Sequence, residues 1–478
     1  MSLVKQTSIY FAANALSAAF GLLNVVIFTR WMTAVEYGVY IIGVALAAVL
    51  GTLLFTWLRQ AIVRQESKAD GTDMRATVLL GFVGVCIPIP FIVLAAGHFP
   101  SFDQQAVPAG VLLAVSVGFF ELSVELLRAR QRSQQVLFAT LVRAALVTLL
   151  GIGVLYFNSS GQSLLISGAV AYLASSALIL REVWGASRID FSSARLRYFI
   201  IWGMPLTLSI GLLAFAGTTD RFLVAYVIGA RAAGQYGASV DLVRQALIIP
   251  AISASAAFVP IAVNLLAREG KKATRVHLEK CLELLLAITL PCCIGFALLA
   301  PRIGNLVLGE EFREVAASIM PIIAIAVVFQ IFVHQYLHIS FFLSSQNRFY
   351  LINTVITLII GTALSFVLIE MFGIAGAAWG RVASEIIGML SALWLARSAF
   401  SLPFPMARAA KVAIAVILMT IVILLLNPLF RNSDKTALAI LIPLGAAIYV
   451  VTCWFLDVGD IRNKLGRLAS ATGAWLVR

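Results

Sequence analysis

The chain has 478 residues, of which 61% are hydrophobic and only 12% charged, and its mean hydropathy is +0.99. Soluble proteins carry about a quarter charged residues, so a water-soluble globular protein is excluded and an all-α polytopic membrane protein is expected. The net charge of +13 would suit nucleic acid only if the basic residues formed one surface, and their order along the chain says otherwise.

At roughly 20 apolar residues per crossing, the chain reads as about fourteen spans: 8–29, 38–58, 77–97, 107–127, 135–157, 163–180, 200–228, 236–264, 281–300, 316–345, 350–370, 374–396, 410–427 and 437–456. The odd-numbered connections are poor in positive charge, and the turns at 97–107, 157–163 and 370–374 contain no Lys or Arg. The even-numbered ones hold Arg59, Arg64, Lys68 and Arg75, then Arg128, Arg130 and Arg132, and later Arg268, Lys271, Lys272 and Arg275. Positive charge is retained on the cytoplasmic side, so a multi-pass membrane protein with both termini cytoplasmic is expected. The basic balance therefore reports topology, and no nucleic-acid partner is expected. The first apolar stretch is too long for a signal-peptide core.

One segment occurs twice. Tyr37-Gly38 opens the second span after the turn Arg30–Glu36, and Tyr236-Gly237 opens the eighth after Gly229–Gln235, 199 positions later. Six helices fit in that period, and an even number leaves the copies in the same orientation, as in parallel transporter repeats. The expected organisation is a six-helix N-terminal lobe at 1–183, a basic cytoplasmic linker at 184–199 and a six-helix C-terminal lobe at 200–398. Two further helices follow at 399–456, then a basic amphipathic tail at 457–478 with Ile461, Leu465, Leu468 and Trp475 at helical spacing. Pro88, Pro90, Pro205, Pro250, Pro260, Pro291 and Pro321 interrupt spans and predict kinks, with Pro250 the expected bending point of span eight.

Five stretches, in order, resemble the polysaccharide-transport branch of the MATE-like MOP flippase superfamily, the O-antigen and exopolysaccharide lipid-carrier flippases. They are Phe28–Met32 running to Glu36–Tyr40; Gly203–Leu208; Asp220–Val224; Gly234–Gly237 leading to Phe258-Val259-Pro260; and Asn353 with Phe372–Trp379. The resemblance implies a V-shaped bundle. It also implies movement of an undecaprenyl-pyrophosphate-linked oligosaccharide from the cytoplasmic to the periplasmic leaflet by alternating access, for O-antigen, capsule or exopolysaccharide synthesis. The partners so implied are that substrate, membrane lipids and a polysaccharide polymerase or assembly machinery.

Ionisable residues inside spans are costly in lipid and mark partners or wet cavities. Glu121 and Glu125 lie one turn apart on span four; an antiparallel hairpin about residue 131 would bring Arg143 of span five near Glu121, as a buried ion pair or as part of a cavity. Asp220 and Arg221 on span seven lie at similar depth to Asp241 and Arg244 on span eight, forming either an interhelical network or a charged rim. Arg381 and Glu385 are spaced to pair on one helix. Guanidinium forks match diphosphate oxygens, so Arg30, Arg143, Arg221, Arg244 and Arg381 are the candidate substrate contacts of a central cleft. Glu121, Glu125, Asp220, Asp241 and Glu385 are the candidate coupling or ion-pair residues.

Asn14 and Asn24 of span one either face the cleft or bridge helices. His334 and His338 sit one turn apart, but two ligands do not make a zinc site, and no metal or cofactor is expected. The five cysteines fall in or beside spans, with no CxxC spacing. No phosphate-binding GxxxxGK[ST], HExxH or GxSxG motif is present, so no catalytic residues are expected. The energy source is then an H+ or Na+ gradient, the membrane potential or downstream consumption of product. Two alternatives stay open: a cation-coupled exporter of small amphiphiles and a polytopic glycosyltransferase.

Overall fold

The computed structural model describes residues 3–66, 73–96, 106–185, 191–255, 258–430 and 433–460. Among them there is helix and no strand. The helices are α1 (Leu3–Trp31), α2 (Ala34–Glu66), α3 (Arg75–Cys86), α4 (Ile89–Ala96), α5 (Ala106–Ala129), α6 (Ser133–Phe157), α7 (Gly161–Trp184), α8 (Ser193–Ala216) and α9 (Thr219–Val227). They continue as α10 (Ala230–Ser255), α11 (Phe258–Arg268), α12 (Gly270–Val307), α13 (Glu310–Phe332), α14 (Ile339–Leu343), α15 (Asn347–Ala396), α16 (Met406–Leu426) and α17 (Asp434–Leu456). Residues 461–478 of the predicted tail, and the linker core at 186–190, lie outside the described residues.

Ten helical stretches among the described residues are long and apolar enough to cross a membrane. The described residues of the predicted spans fall chiefly on helix, while ten stretches, rather than the expected fourteen, meet that measure. One of the ten stretches is α15, which covers two predicted spans; it reverses at Gly373 (φ 59, ψ −136), a left-handed conformation that suits glycine. Its two arms run antiparallel, because Asn353 Nδ2 donates to the Gly388 carbonyl (2.8 Å) and to Ser391 Oγ (2.6 Å). Span one lies on the 29-residue α1; span three lies on a shorter apolar stretch, Arg75–Phe91, interrupted at Ile87-Pro88 as the proline predicts. In span eight α10 runs through Pro250 as far as the described residues go, and Pro260 lies near the start of α11.

Span seven, expected as one helix, is broken into α8 and α9 at Gly217-Thr218. Thr218 and Thr219 donate back to the Ala214 and Phe215 carbonyls (3.0 and 2.7 Å), a bonding pattern that bends helices. The break places Asp220 in the first turn of α9, where a carboxylate complements the helix dipole.

By backbone contact the chain forms two compact units. The first comprises Met1–Leu242, Leu308–Val315 and Ser365–Ala377; the second comprises Val243–Val307, Ala316–Leu364 and Ala378–Arg478. The boundary of the first unit thus lies beyond the start of the second sequence repeat. Within the first unit α2 is the hub, packing on α5, α7 and α8 around Phe55, Leu58, Ile62, Phe120 and Phe199. Helix α8 approaches α2 closely because Gly203 faces the backbone of Trp57 and Gly211 faces Leu53.

The duplicated segment acquires a structural meaning in this unit: its two copies cross one another. A Cβ on Gly38 of α2 would overlap the Ala230 carbonyl oxygen, and a Cβ on Gly234 of α10 would overlap that of Ala34. The contact is reciprocal, Ala34-x-x-x-Gly38 against Ala230-x-x-x-Gly234, a small-residue pattern that lets membrane helices touch backbone to backbone. The crossing is reinforced by Glu311, whose Oε2 accepts from the Ala34 amide (3.1 Å) and faces Arg231 (3.4 Å).

In the second unit α16 and α17 dock on α12 through Leu299, Val412, Met419, Ile423 and Leu441. At one end Arg302 Nε donates to Asn427 Oδ1 (2.7 Å), and its Nη atoms donate to Asp434 Oδ1 (2.9 Å) and the carbonyls of Phe430 (2.8 Å) and Asn427 (2.8 Å). At the other end Glu283 accepts from Arg408 (3.0 Å) and from the Gly459 amide (2.7 Å). Lysine cannot reproduce the Arg302 fork. Arg302→Lys is therefore expected to destabilise the docking of α16 and α17 by about 2 kcal/mol. Limited proteolysis in detergent checks this: the α16–α17 segment should be cut earlier in the variant than in the parent, while cleavage in the first unit is unchanged.

Candidate functional site

Arg143 lies midway along α6, so at 1.5 Å per residue it sits about 15 Å from the helix start, near the centre of a bilayer core. Its Nη1 donates to the Tyr172 hydroxyl (3.0 Å) and its Nη2 to Ser17 Oγ (3.4 Å). The guanidinium also lies 5.3 Å from the Tyr172 ring and 6.0 Å from the Phe120 ring. It lines a cavity of about 310 Å³ with Phe28, Tyr40, Val44, Leu113 and Tyr172, contributed by α1, α2, α5 and α7 of the same unit. Nearby, Asn24 accepts from the Thr148 hydroxyl (2.7 Å), so Asn24 bridges α1 and α6; the side chain of Asn14 lies outside the described residues.

The expected approach of Arg143 to Glu121 does not occur. Glu121 faces Arg59 (3.3 Å), and Glu125 faces Arg59 (3.6 Å) and Arg128 (3.1 Å). The hairpin assumption fails because α5 packs mainly on α2 and α7 whereas α6 packs on α1 and α7. The intervening turn, with Gln131 at φ 57, does not hold α5 and α6 side by side. Arg59 was legible only as a topological charge, and Tyr172 and Tyr40 carried no signal that separated them from ordinary core aromatics.

Of the four charged residues grouped on spans seven and eight, three meet in the first unit. Arg221, 5% exposed, pairs with Asp241. Asp220, 7% exposed, accepts from the Tyr236 hydroxyl (2.9 Å) and from the Arg221 amide (2.9 Å). This has the form of the interhelical network, with the guanidinium enclosed and its Nε without a hydrogen-bond partner. Arg244 belongs to the second unit. There Arg381 and Glu385 form the anticipated pair along one helix (3.1 Å). Arg30 is exposed in the last turn of α1, where a cation suits the helix dipole; Glu36 is engaged with the Gly161 amide at the start of α7 (2.7 Å).

His334 and His338 meet edge to face, with ring centroids 5.0 Å apart, where the helix widens into a π-turn over Val333–Leu337. His338 Nε2 lies 3.0 Å from Asn353 Oδ1, and Ser255 donates to Gln335 Oε1 (2.6 Å). No cluster of three or more metal-ligating side chains occurs among the described residues.

Outside the spans, Arg75 grips Asp73 with Nε (2.9 Å) and Nη2 (2.6 Å) while its Nη1 donates to the Gly185 carbonyl at the end of α7 (2.7 Å). Arg195 of α8 donates to the Asp73 carbonyl (2.9 Å). The hydrogen bonds from Arg75 hold the Asp73 carboxyl below the usual carboxylate range despite a burial penalty. A carboxyl depressed in the folded state contributes stability above its unfolded pKa of about 3.9 and loses it as pH falls through the folded value. The stability gap between the parent and Asp73→Asn should thus be constant from about pH 8 to 5 and close below about pH 4. The gap itself should stay under about 1 kcal/mol, because the pair is still partly reached by solvent, which screens it. Thermal unfolding across that pH range measures both.

Comparison with known proteins adds family and fold. Residues 27–317 match the family model described as polysaccharide biosynthesis protein. No curated protein sequence matches the chain. Among solved structures it is similar to the lipid II flippase MurJ in an inward closed conformation, at 16% identity and a TM-score of 0.78, over 95% of this chain and 100% of that one. It is also similar to a multidrug resistance MATE family transporter of the MOP superfamily in an inward-facing conformation, at 15% identity and a TM-score of 0.58, over 83% and 96%. A MATE in the straight conformation aligns at 15% identity and a TM-score of 0.51, over 83% and 95%. At these identities the likeness is one of fold, and it places the chain among multi-pass MATE-like membrane proteins.

Proposed function

We propose that this chain, which belongs to the polysaccharide biosynthesis protein family, is a flippase that moves an undecaprenyl-pyrophosphate-linked oligosaccharide from the cytoplasmic to the periplasmic leaflet. The observation that carries the reading is the extent of the fold match. The lipid II flippase covers 95% of the chain, whereas the multidrug transporter covers 83%, a difference close in size to the α16–α17 segment. The fuller match to the lipid II flippase supports a lipid-linked cargo over a small amphiphile in this reading. The short connections between helices, without an extended soluble domain in the sequence, speak against a glycosyltransferase.

Arg30 is exposed in the last turn of α1, at the end of span one that this reading puts on the periplasmic side. In this reading Arg30 contacts the diphosphate as the head group arrives at the periplasmic side. An H+ or Na+ gradient drives the cycle in this reading, and a polymerase on the periplasmic side consumes the product. The test is transport in proteoliposomes loaded with the lipid-diphosphate-linked glycan and read by an impermeant glycan-specific probe. Protein-dependent appearance of the head group in the opposite leaflet is expected, and Arg30→Gln should slow it at least tenfold with unchanged expression. Absence of movement with and without an imposed gradient, alongside gradient-dependent export of a cationic amphiphile, would replace this function with the exporter.

A further inference from the structure

The cavity around Arg143 calls for an occupant. The guanidinium carries a full charge near the centre of the membrane, where an ionised group requires an opposite charge or water. Among the described residues no carboxylate lies within ion-pair distance of it; its partners are the neutral hydroxyls of Tyr172 and Ser17 and two ring faces. The stretch 1–14, which precedes Ser17, contains no Asp or Glu. The nearest acidic residue in the sequence-based grouping, Glu121, is taken by Arg59. Tyr40 lines the same cavity, and its hydroxyl has no hydrogen-bond partner among the described residues. The other charges close to Tyr40, Arg221 and Asp241, neutralise each other. Aromatic faces attract a cation but add no net negative charge, so the cavity keeps a positive charge and hydroxyl groups able to donate.

We propose that this cavity binds a small inorganic anion of the halide class, held by Arg143 with Tyr172 and Tyr40 as neighbouring hydroxyl donors. Size decides against the cargo as occupant. A cavity of about 310 Å³ lies at the lower limit for a single drug-sized ligand, and a diphosphate bearing several sugars exceeds it. The site is thus a counter-ion site inside the first unit. It stands whether or not the protein flips a lipid-linked glycan.

The experiment uses the purified full-length chain in detergent without lipid-linked glycan. Sodium chloride or bromide replaces sodium gluconate at constant ionic strength, so that surface screening does not change. The unfolding temperature should rise saturably with halide, and Arg143→Met should weaken the apparent halide affinity at least tenfold. Tyr172→Phe, which keeps the charge, should weaken it about threefold. A crystal grown in bromide supplies a readout independent of any variant, with anomalous density expected beside Arg143. No halide response in the parent, an equal response in Arg143→Met, or bromide density elsewhere only would overturn the proposal. A parent that ignores halide yet responds to an added short-chain lipid diphosphate would assign the positive charge to the cargo's phosphate, and that too overturns it. Transport measured in chloride-free buffer separates this outcome from failure of the flippase reading.

Discussion

Gly38→Leu and Gly234→Leu are each expected to cost about 3 kcal/mol or more and to cut the yield of monodisperse protein severely. Overpacking in a core ordinarily costs about 1–3 kcal/mol because neighbouring side chains change rotamer to relieve it. That relief is missing here, since the obstructing atoms are the backbone carbonyls of Ala230 and Ala34. Either substitution must push α2 and α10 apart, and with them the Glu311 contact that holds the Ala34 amide. Gly38→Ala already meets the carbonyl, so even the smallest side chain should destabilise. Gly153 of α6 provides the control: a Cβ there meets nothing within 4 Å. Gly153→Ala should therefore stabilise by about 0.5–1 kcal/mol through reduced chain entropy and better helix propensity. Thermal unfolding of the four variants in one detergent tests the set. Tolerance of Gly38→Ala equal to that of Gly153→Ala would refute the close crossing.

The duplication was legible as a repeat because Tyr-Gly recurs after similar turns, yet nothing in the sequence said that the copies touch. Small residues four apart permit a close crossing without naming the partner. The spans were readable because every one of them must exclude water from its backbone; of the prolines, Pro88 marks an interruption, whereas α8, α10, α12 and α13 run through Pro205, Pro250, Pro291 and Pro321. The break at Gly217-Thr218 came instead from two threonine hydroxyls, which score as ordinary residues in an apolar run. Arg143 was singled out correctly as a costly charge, but its neighbours depend on which helices pack together. Consecutive helices α5 and α6 are neighbours in sequence and minor neighbours in space, so the arithmetic that put Arg143 beside Glu121 had no hairpin to act on. Arg59, counted toward topology, is what Glu121 and Glu125 face.

Breaking the Arg221–Asp241 pair is the second large effect. Arg221→Met leaves the Asp241 carboxylate without its cation, and Asp241→Asn removes the anion from a guanidinium only 5% exposed whose Nε is already unsatisfied. Removing one member of a buried pair costs about 3–5 kcal/mol, while replacing both with apolar residues is often neutral or better. Arg221→Met with Asp241→Leu should consequently recover at least about 2 kcal/mol relative to either single change. Tyr236→Phe should lose only about 1 kcal/mol, because Asp220 keeps the Arg221 amide as a donor. Stability alone does not say what the pair is for, and transport by the double variant does. A network that only fixes α9 against α10 should work with an apolar replacement, so near-parental flipping is expected. A stable double variant that no longer moves the diphosphate-linked head group would instead make Arg221 a cargo contact, and would mean that its pairing with Asp241 is exchanged for the substrate's phosphates during the cycle.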